Sequence, residues 1–182
     1  IICASSGNHG KAIAYAAKEL GIPGIVVMPN TAPENKIKAI EELGAEVVLC
    51  DAGDRFTIAG KLQEEHGMTM APPFDDYDIM AGQGTCGLEI VEEKPDIDFI
   101  IVPVSGGGLV GGIATAIKNK SPNVKVIGAE PKNAAAYTVS LKEGKVSKAE
   151  ALGTIADALV SVSPGTKNFP VVKDNVDEII KV

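Results

Sequence analysis

The chain has 182 residues, 45% hydrophobic and 23% charged, with a formal net charge of −7. That is enough apolar material for a sizeable core, in one domain or two small ones. Only 4% of residues are aromatic, there is no Trp and no Lys/Arg cluster, so a nucleic-acid surface is not expected and the acidity serves solubility.

The elements alternate from the first residue. Ile1 to Ala4 is apolar, Ser5-Ser6-Gly7-Asn8-His9-Gly10 is small and polar, and Ala12 to Leu20 is apolar with helical period. This predicts strand, tight loop, helix. Gly21-Ile22-Pro23 stops the helix and Gly24 to Met28 forms the next strand. Pro33 opens a helix to about Leu43, and Gly44 caps it. Glu46 to Cys50 is a strand and Asp54 to His66 a helix. Residues 71–84 are turn-rich, with Ala71-Pro72-Pro73, Asp75-Asp76 and Gly82-Gln83-Gly84, and a domain crossing is expected there. The expected domains are 1–76 and 77–182. A helix then runs to about Glu93, followed by strand Phe99 to Pro103, loop Ser105 to Gly108, helix Leu109 to Asn119 and strand Val124 to Glu130. A helix near Ala134 to Glu143, a surface connection Gly144 to Thr154 and a strand-like run Val176 to Val182 complete the order. Apolar strands separated by helices signal parallel βαβ units, an α/β fold with both sheet faces covered.

Cys3, Cys50 and Cys86 show no metal-ligand spacing and fit reduced, mostly buried thiols of a cytoplasmic protein. The run Phe99 to Val104 is too short to cross a bilayer. Ile1 begins inside a strand pattern and Val182 closes another, so the sequence is expected to be an excerpt of a longer protein.

Two loops invite anions. Each follows a strand and opens a helix, where backbone N–H groups lack partners and the helix dipole is positive. The second, Ser105-Gly106-Gly107-Gly108-Leu109, exposes consecutive amides as a nest for phosphate. Gly106 to Gly111 also satisfies GxGxxG, with Glu130 ending the next strand where a ribose acid would lie. An NAD-dependent oxidoreductase is therefore one alternative. A non-catalytic remnant that only binds ligand is another.

Residues outside that loop favour a third reading. Ser5 to Gly10, Gly24 to Pro29 with Ala32-Pro33, Gly44-Ala45, Ala81-Gly82-Gln83-Gly84-Thr85, Pro103 to Leu109, Glu130-Pro131 and Thr154-Ile155-Ala156-Asp157 occur in one order along nearly the whole chain. In this the sequence resembles the pyridoxal-phosphate enzymes of fold type II (tryptophan synthase beta-like), in the serine/threonine dehydratase and serine racemase branch. The related cysteine synthases favour Thr-Ser-Gly-Asn-Thr-Gly at the first loop; His9 and the Ser-Gly-Gly-Gly-Leu loop set this chain nearer the dehydratases.

The resemblance implies a two-domain α/β fold, incomplete at both ends here, and a dehydratase of L-threonine or L-serine that yields a 2-oxo acid and ammonia, with serine racemisation as a related outcome. It implies that Ser5, Ser6, Gly7, Asn8 and His9 bind the substrate carboxylate, that Asn8 meets the 3′-oxygen of pyridoxal phosphate, and that Ser105, Gly106, Gly107, Gly108 and Leu109 hold its phosphate. Ser6 matches the residue that faces the ring opposite the catalytic lysine in racemases, a catalytic assignment; it is equally a helix cap. Arg55 lies where some relatives place a carboxylate-binding arginine, and equally fits a solvated helix residue. Glu130 and the Ala134 carbonyl align with a divalent-cation site, but the second carboxylate is Ala136 here, which makes a poor Mg²⁺ or Ca²⁺ site. Ala158 replaces the usual Gly after Ile-Ala-Asp. The family's Schiff-base lysine sits in a Ser-x-Lys-x-Arg-Gly segment, which does not occur in these residues, so the chain alone is expected to lack covalent catalysis. A homo-oligomer acting on a small amino acid, with no nucleic-acid or membrane partner, completes the implied picture.

Overall fold

The computed structural model describes residues 1–5 and 7–182. It divides into two compact units, 1–73 and 74–182. Both are parallel α/β layers, as the alternation of strand and helix patterns predicts.

In the first unit β1 (Ile2–Ala4), β2 (Ile25–Pro29) and β3 (Glu46–Cys50) pair in parallel in the order β1-β2-β3. Cys3 pairs with Val26 and Val26 with Val47. Every residue of β1 and β2 is buried, which explains their unbroken apolar character. Helices α1 (Asn8–Leu20) and α2 (Glu34–Glu41) pack together on one face, where the α1 backbone comes close: a Cβ on Gly10 would lie 2.7 Å from Val26. Helix α3 (Arg55–His66) covers the other face, its Ala59 buried against Ile2, Ala4, Ile25 and Val27. The chain then returns along the free edge of β1. Ile2 donates to Thr69 O at 2.9 Å and Ala71 N donates to Ile2 O at 2.8 Å.

In the second unit β4 (Phe99–Pro103), β5 (Lys125–Glu130) and β6 (Glu178–Lys181) form another parallel sheet in the order β4-β5-β6. Helix α4 (Tyr77–Glu93) packs on α5 (Gly108–Lys120). Helices α6 (Ala136–Glu143) and α7 (Asn168–Asn175) complete the unit. Val102, Val104, Val110, Ile117, Val126, Tyr137 and Val172 form its core.

Three features differ from the sequence expectations. Helix α4 starts at Tyr77, so Gly82-Gln83-Gly84 is helical rather than a turn. The glycines serve contact: a Cβ on Gly84 would sit 2.9 Å from Gly112 O, and one on Gly87 would sit 2.9 Å from Ile113 O. Helix α7 has no counterpart among the predicted elements; its Pro170 falls in the first turn, where proline is tolerated. Asp75 and Asp76 belong with the second unit, since their carboxylates bind Lys167 and its neighbours. Of the cysteines, Cys3 is buried, with its thiol pushed up to about 12 by desolvation, while Cys86 is exposed on α4. Among the described residues no helix is long and apolar enough to cross a membrane.

Candidate active site: two strand–helix loops

Both loops lie at the carboxyl edge of their own sheet, where parallel α/β layers place ligands. In the first, buried Ser5 directs its Oγ at the start of α1 and accepts the N–H of Gly7 at 3.2 Å and of Gly10 at 2.9 Å. Ser5 therefore does the capping work at this helix end. Asn8 is the first helical residue and is exposed. His9 is half-buried and bonds Ala71 O through Nε2 at 3.0 Å, tying α1 to the segment beside β1. Desolvation pulls the His9 imidazole below its ordinary value, with the Ala71 bond opposing. Neutral His9 is then the donor to a carbonyl. Ser6 lies outside the described residues.

The stem of Lys36 on α2 runs beside this loop, with Cδ 3.3 Å from where a Cβ on Gly7 would sit. Nothing near Lys36 in the sequence marks it; only the β1-β2 pairing brings α2 there. Arg55 opens α3, on the opposite face from α1, and its Nε–H donates to Ala52 O at 2.9 Å.

The second loop is built from behind. Gly106, Gly107 and Gly108 are buried, Ser105 is half-buried and Leu109 is exposed. A Cβ on Gly106 would fall 2.5 Å from the Phe74 ring; one on Gly107 would overlap the Tyr137 hydroxyl. Gly107 also has φ 99°, in the left-handed region that favours glycine. The first backbone bond into α5 is Gly111 N to Gly107 O, so the amides at the head of this 13-residue helix have no partner within it. Ser105 Oγ accepts the Ser161 N–H at 3.1 Å. An unobstructed row of amides at the positive end of a helix fits a phosphate. Ala158 is exposed, in an irregular stretch.

Glu130 is only 1% exposed. Its Oε2 accepts Tyr137 N at 3.0 Å, and its Oε1 accepts Thr138 N at 2.8 Å and the Thr138 hydroxyl. Those are the first-turn amides of α6, whose own N-cap, Ala135, has no side-chain acceptor. The carboxylate is a helix cap supplied from a strand end. That engagement removes the ribose acid on which the NAD alternative rests. It also occupies both oxygens expected to meet a cation beside Ala134. No group of three His, Cys, Asp or Glu able to hold a metal occurs among the described residues.

Each of the two parallel α/β units carries a loop of small residues between a strand end and the head of a 13-residue helix, the geometry in which α/β proteins bind anions. The match is more particular than that: the chain belongs to the family described as pyridoxal-phosphate dependent enzymes, which covers residues 1–182. It is 43% identical over 184 residues to an L-threonine ammonia-lyase of Geobacter sulfurreducens, covering all of this chain and 46% of that one. It is 41% identical to a serine racemase of Oryza sativa subsp. indica, covering 54% of it. The maize serine racemase structure superposes with a TM-score of 0.95 at 40% identity, over all of this chain and 56% of that one. The chain thus spans about half the length of the curated relatives it matches.

Proposed function

We propose that this chain carries the substrate-carboxylate and phosphate loops of a pyridoxal-phosphate-dependent ammonia-lyase. Its substrates are L-threonine, giving 2-oxobutanoate and ammonia, or L-serine, giving pyruvate and ammonia. The observation that carries this reading is end-to-end similarity to proteins named for that reaction, together with the glycine loop at the head of α5.

Bound pyridoxal phosphate supplies the electron sink for the bonding pair at the substrate α-carbon. The chain's own residues bind and orient. The amides of Gly106 to Leu109 hold the phosphate, with Ser105 alongside. Ser5, Ser6, Gly7, Asn8 and His9 receive the substrate carboxylate at the positive end of α1. Asn8 also meets the ring hydroxyl oxygen. His9 keeps its proton on Nε2 against Ala71 O, so it acts as a tether and not as a general acid. Arg55, at the head of α3, is the guanidinium assigned to the carboxylate. The covalent lysine belongs to a Ser-x-Lys-x-Arg-Gly segment that these residues do not contain. Glu130 with Ala134 is the remaining candidate for a divalent cation, against the cap geometry already described.

The serine racemases among the relatives favour a second outcome, in which Ser6 delivers a proton to the opposite face of the α-carbon. The same reading places a homo-oligomeric enzyme in the cytoplasm, 1–73 forming a smaller substrate domain and 74–182 part of a larger cofactor domain. The test is an assay of the full-length protein with pyridoxal phosphate. Formation of 2-oxobutanoate from L-threonine is expected, with D-serine from L-serine followed by chiral chromatography. Neither product, together with no affinity for pyridoxal phosphate, sinks the proposal.

A further inference from the structure

We infer that Tyr137 and Asn168 are positioning residues that aim the glycine loop at its anion by pinning the Gly106 carbonyl. The inference rests on the phosphate-cradle reading of residues 105–109. Three donors from separate segments meet on that single oxygen: Gly165 N at 2.9 Å, Asn168 Nδ2 at 3.1 Å and Tyr137 Oη at 3.3 Å. Tyr137 and Asn168 are fully buried, so the carbonyl points into the core. In a planar trans peptide the C=O of Gly106 and the N–H of Gly107 point in opposite directions. Pinning the oxygen inward turns the Gly107 N–H outward, in line with the unpartnered amides of α5. The flipped peptide would present an oxygen to the anion and abandon all three bonds.

The two side-chain donors are held alike. Tyr137 and Asn168 lie at the heads of α6 and α7, each of 8 residues. Helices that short are marginal alone. Each receives a carboxylate from outside its own helix, 7 residues back for Tyr137 and 93 residues back for Asn168. Glu130 caps α6. Asp75 accepts Lys167 N at 2.6 Å, Asn168 N at 3.4 Å and Thr166 Oγ1 at 3.0 Å at the head of α7. Gly165 reaches the carbonyl because it has no side chain: a Cβ there would lie 2.5 Å from Asp75 Oδ1. Burial pushes the Tyr137 phenol up, and Asp75 and Glu130 add to it, so the hydroxyl stays protonated and donates.

The Asn168 amide makes its bond at a cost. Its Oδ1 is buried with no partner among the described residues, and Gln83 Oε1 beside Gly108 is in the same state. A side chain there for packing alone would leave no orphaned oxygen. The orphan fits a residue held for the bond that its N–H makes.

The test uses the full-length protein and the variants Tyr137→Phe and Asn168→Ser. Calorimetry gives the affinity for inorganic phosphate, for pyridoxal phosphate and for pyridoxal without phosphate. The phosphate-induced amide shift of Gly107 is followed by NMR. Each variant is expected to weaken phosphate and pyridoxal phosphate about fivefold, the effect of one net hydrogen bond. Pyridoxal affinity should hold and the Gly107 shift should shrink. Folded variants with a lowered melting temperature but undiminished phosphate affinity overturn the inference alone and leave the cradle standing. Equal losses for pyridoxal and pyridoxal phosphate also overturn it. Wild-type protein that binds neither phosphate nor pyridoxal phosphate overturns the cradle and this inference together. Should Asn168→Ser fail to fold, Tyr137→Phe decides, because its ring keeps the packing on Phe169.

Discussion

The amides of the loop after β1 are fixed from close by, the Ser5 hydroxyl reaching those 2 and 5 residues along the chain, while the His9 ring ties back to Ala71 O, 62 residues away. The loop after β4 is held from afar. The side-chain donors on Gly106 O lie 31 and 62 residues away, and the aspartate fixing the second of them precedes it by 93. Both loops follow a parallel strand and open a 13-residue helix. They differ in how much folded chain each needs before its amides face the right way. The amides of the first loop depend on contacts close in sequence, and those of the second on contacts that only the folded second unit brings together.

The largest expected effect breaks the remote loop outright. Gly107→Ala places a methyl onto the Tyr137 hydroxyl at a left-handed φ, and should cost about 3 kcal/mol of unfolding free energy in urea titration. Next is Glu130→Gln, which keeps the shape but removes the charge from three donors at the head of α6. A loss of about 2 kcal/mol is expected. Ser5→Ala should cost only about 1 kcal/mol, and hydrogen exchange should show the α1 amides opening while the second unit is unchanged. Equal opening of both units would contradict local holding.

The smallest effect is acid dependence. His9 has a folded value below its unfolded value, so its share of stability is present above about pH 6.5 and is lost as pH falls through the folded value. Lys118, 2.7 Å from Asp177, holds that carboxyl below its usual range, with burial opposing. Burial raises Asp75, but the amides of Lys167, Thr166 and Asn168 outweigh it and the net shift is down. For both aspartates the contribution persists above about pH 4 and is lost as pH falls through the lower folded value. Melting curves against pH should therefore soften the first unit before the second, and His9→Gln should remove the earlier loss.

What the sequence made legible follows the same division. The strands were plain because short apolar runs stood between helical patterns: β1 and β2 are buried throughout, and Glu46 to Cys50 and Phe99 to Pro103, though partly exposed, match residue for residue. The two loops were plain because small residues at a strand–helix junction carry their meaning locally. Tyr137 and Asn168 were not, since a donor to a distant carbonyl leaves no mark near itself. Helix α7 was hidden by Pro170, which sits harmlessly in its first turn. Glu130 was visible as a strand-end acid, but its task depends on where α6 begins.

The seam between α4 and α5 leads further. Hydrogen is the smallest side chain available, and at Gly84, Gly87 and Gly112 nothing larger fits without striking a backbone carbonyl. Such a contact cannot be tuned by degrees, because the first step away from glycine is already the steepest. Side chains around the loop at the head of α5 can be exchanged, but the helix itself cannot slide on α4. Under the function proposed above, new substrate preferences should therefore arise at the rim, with residues 105–109 staying where the seam puts them.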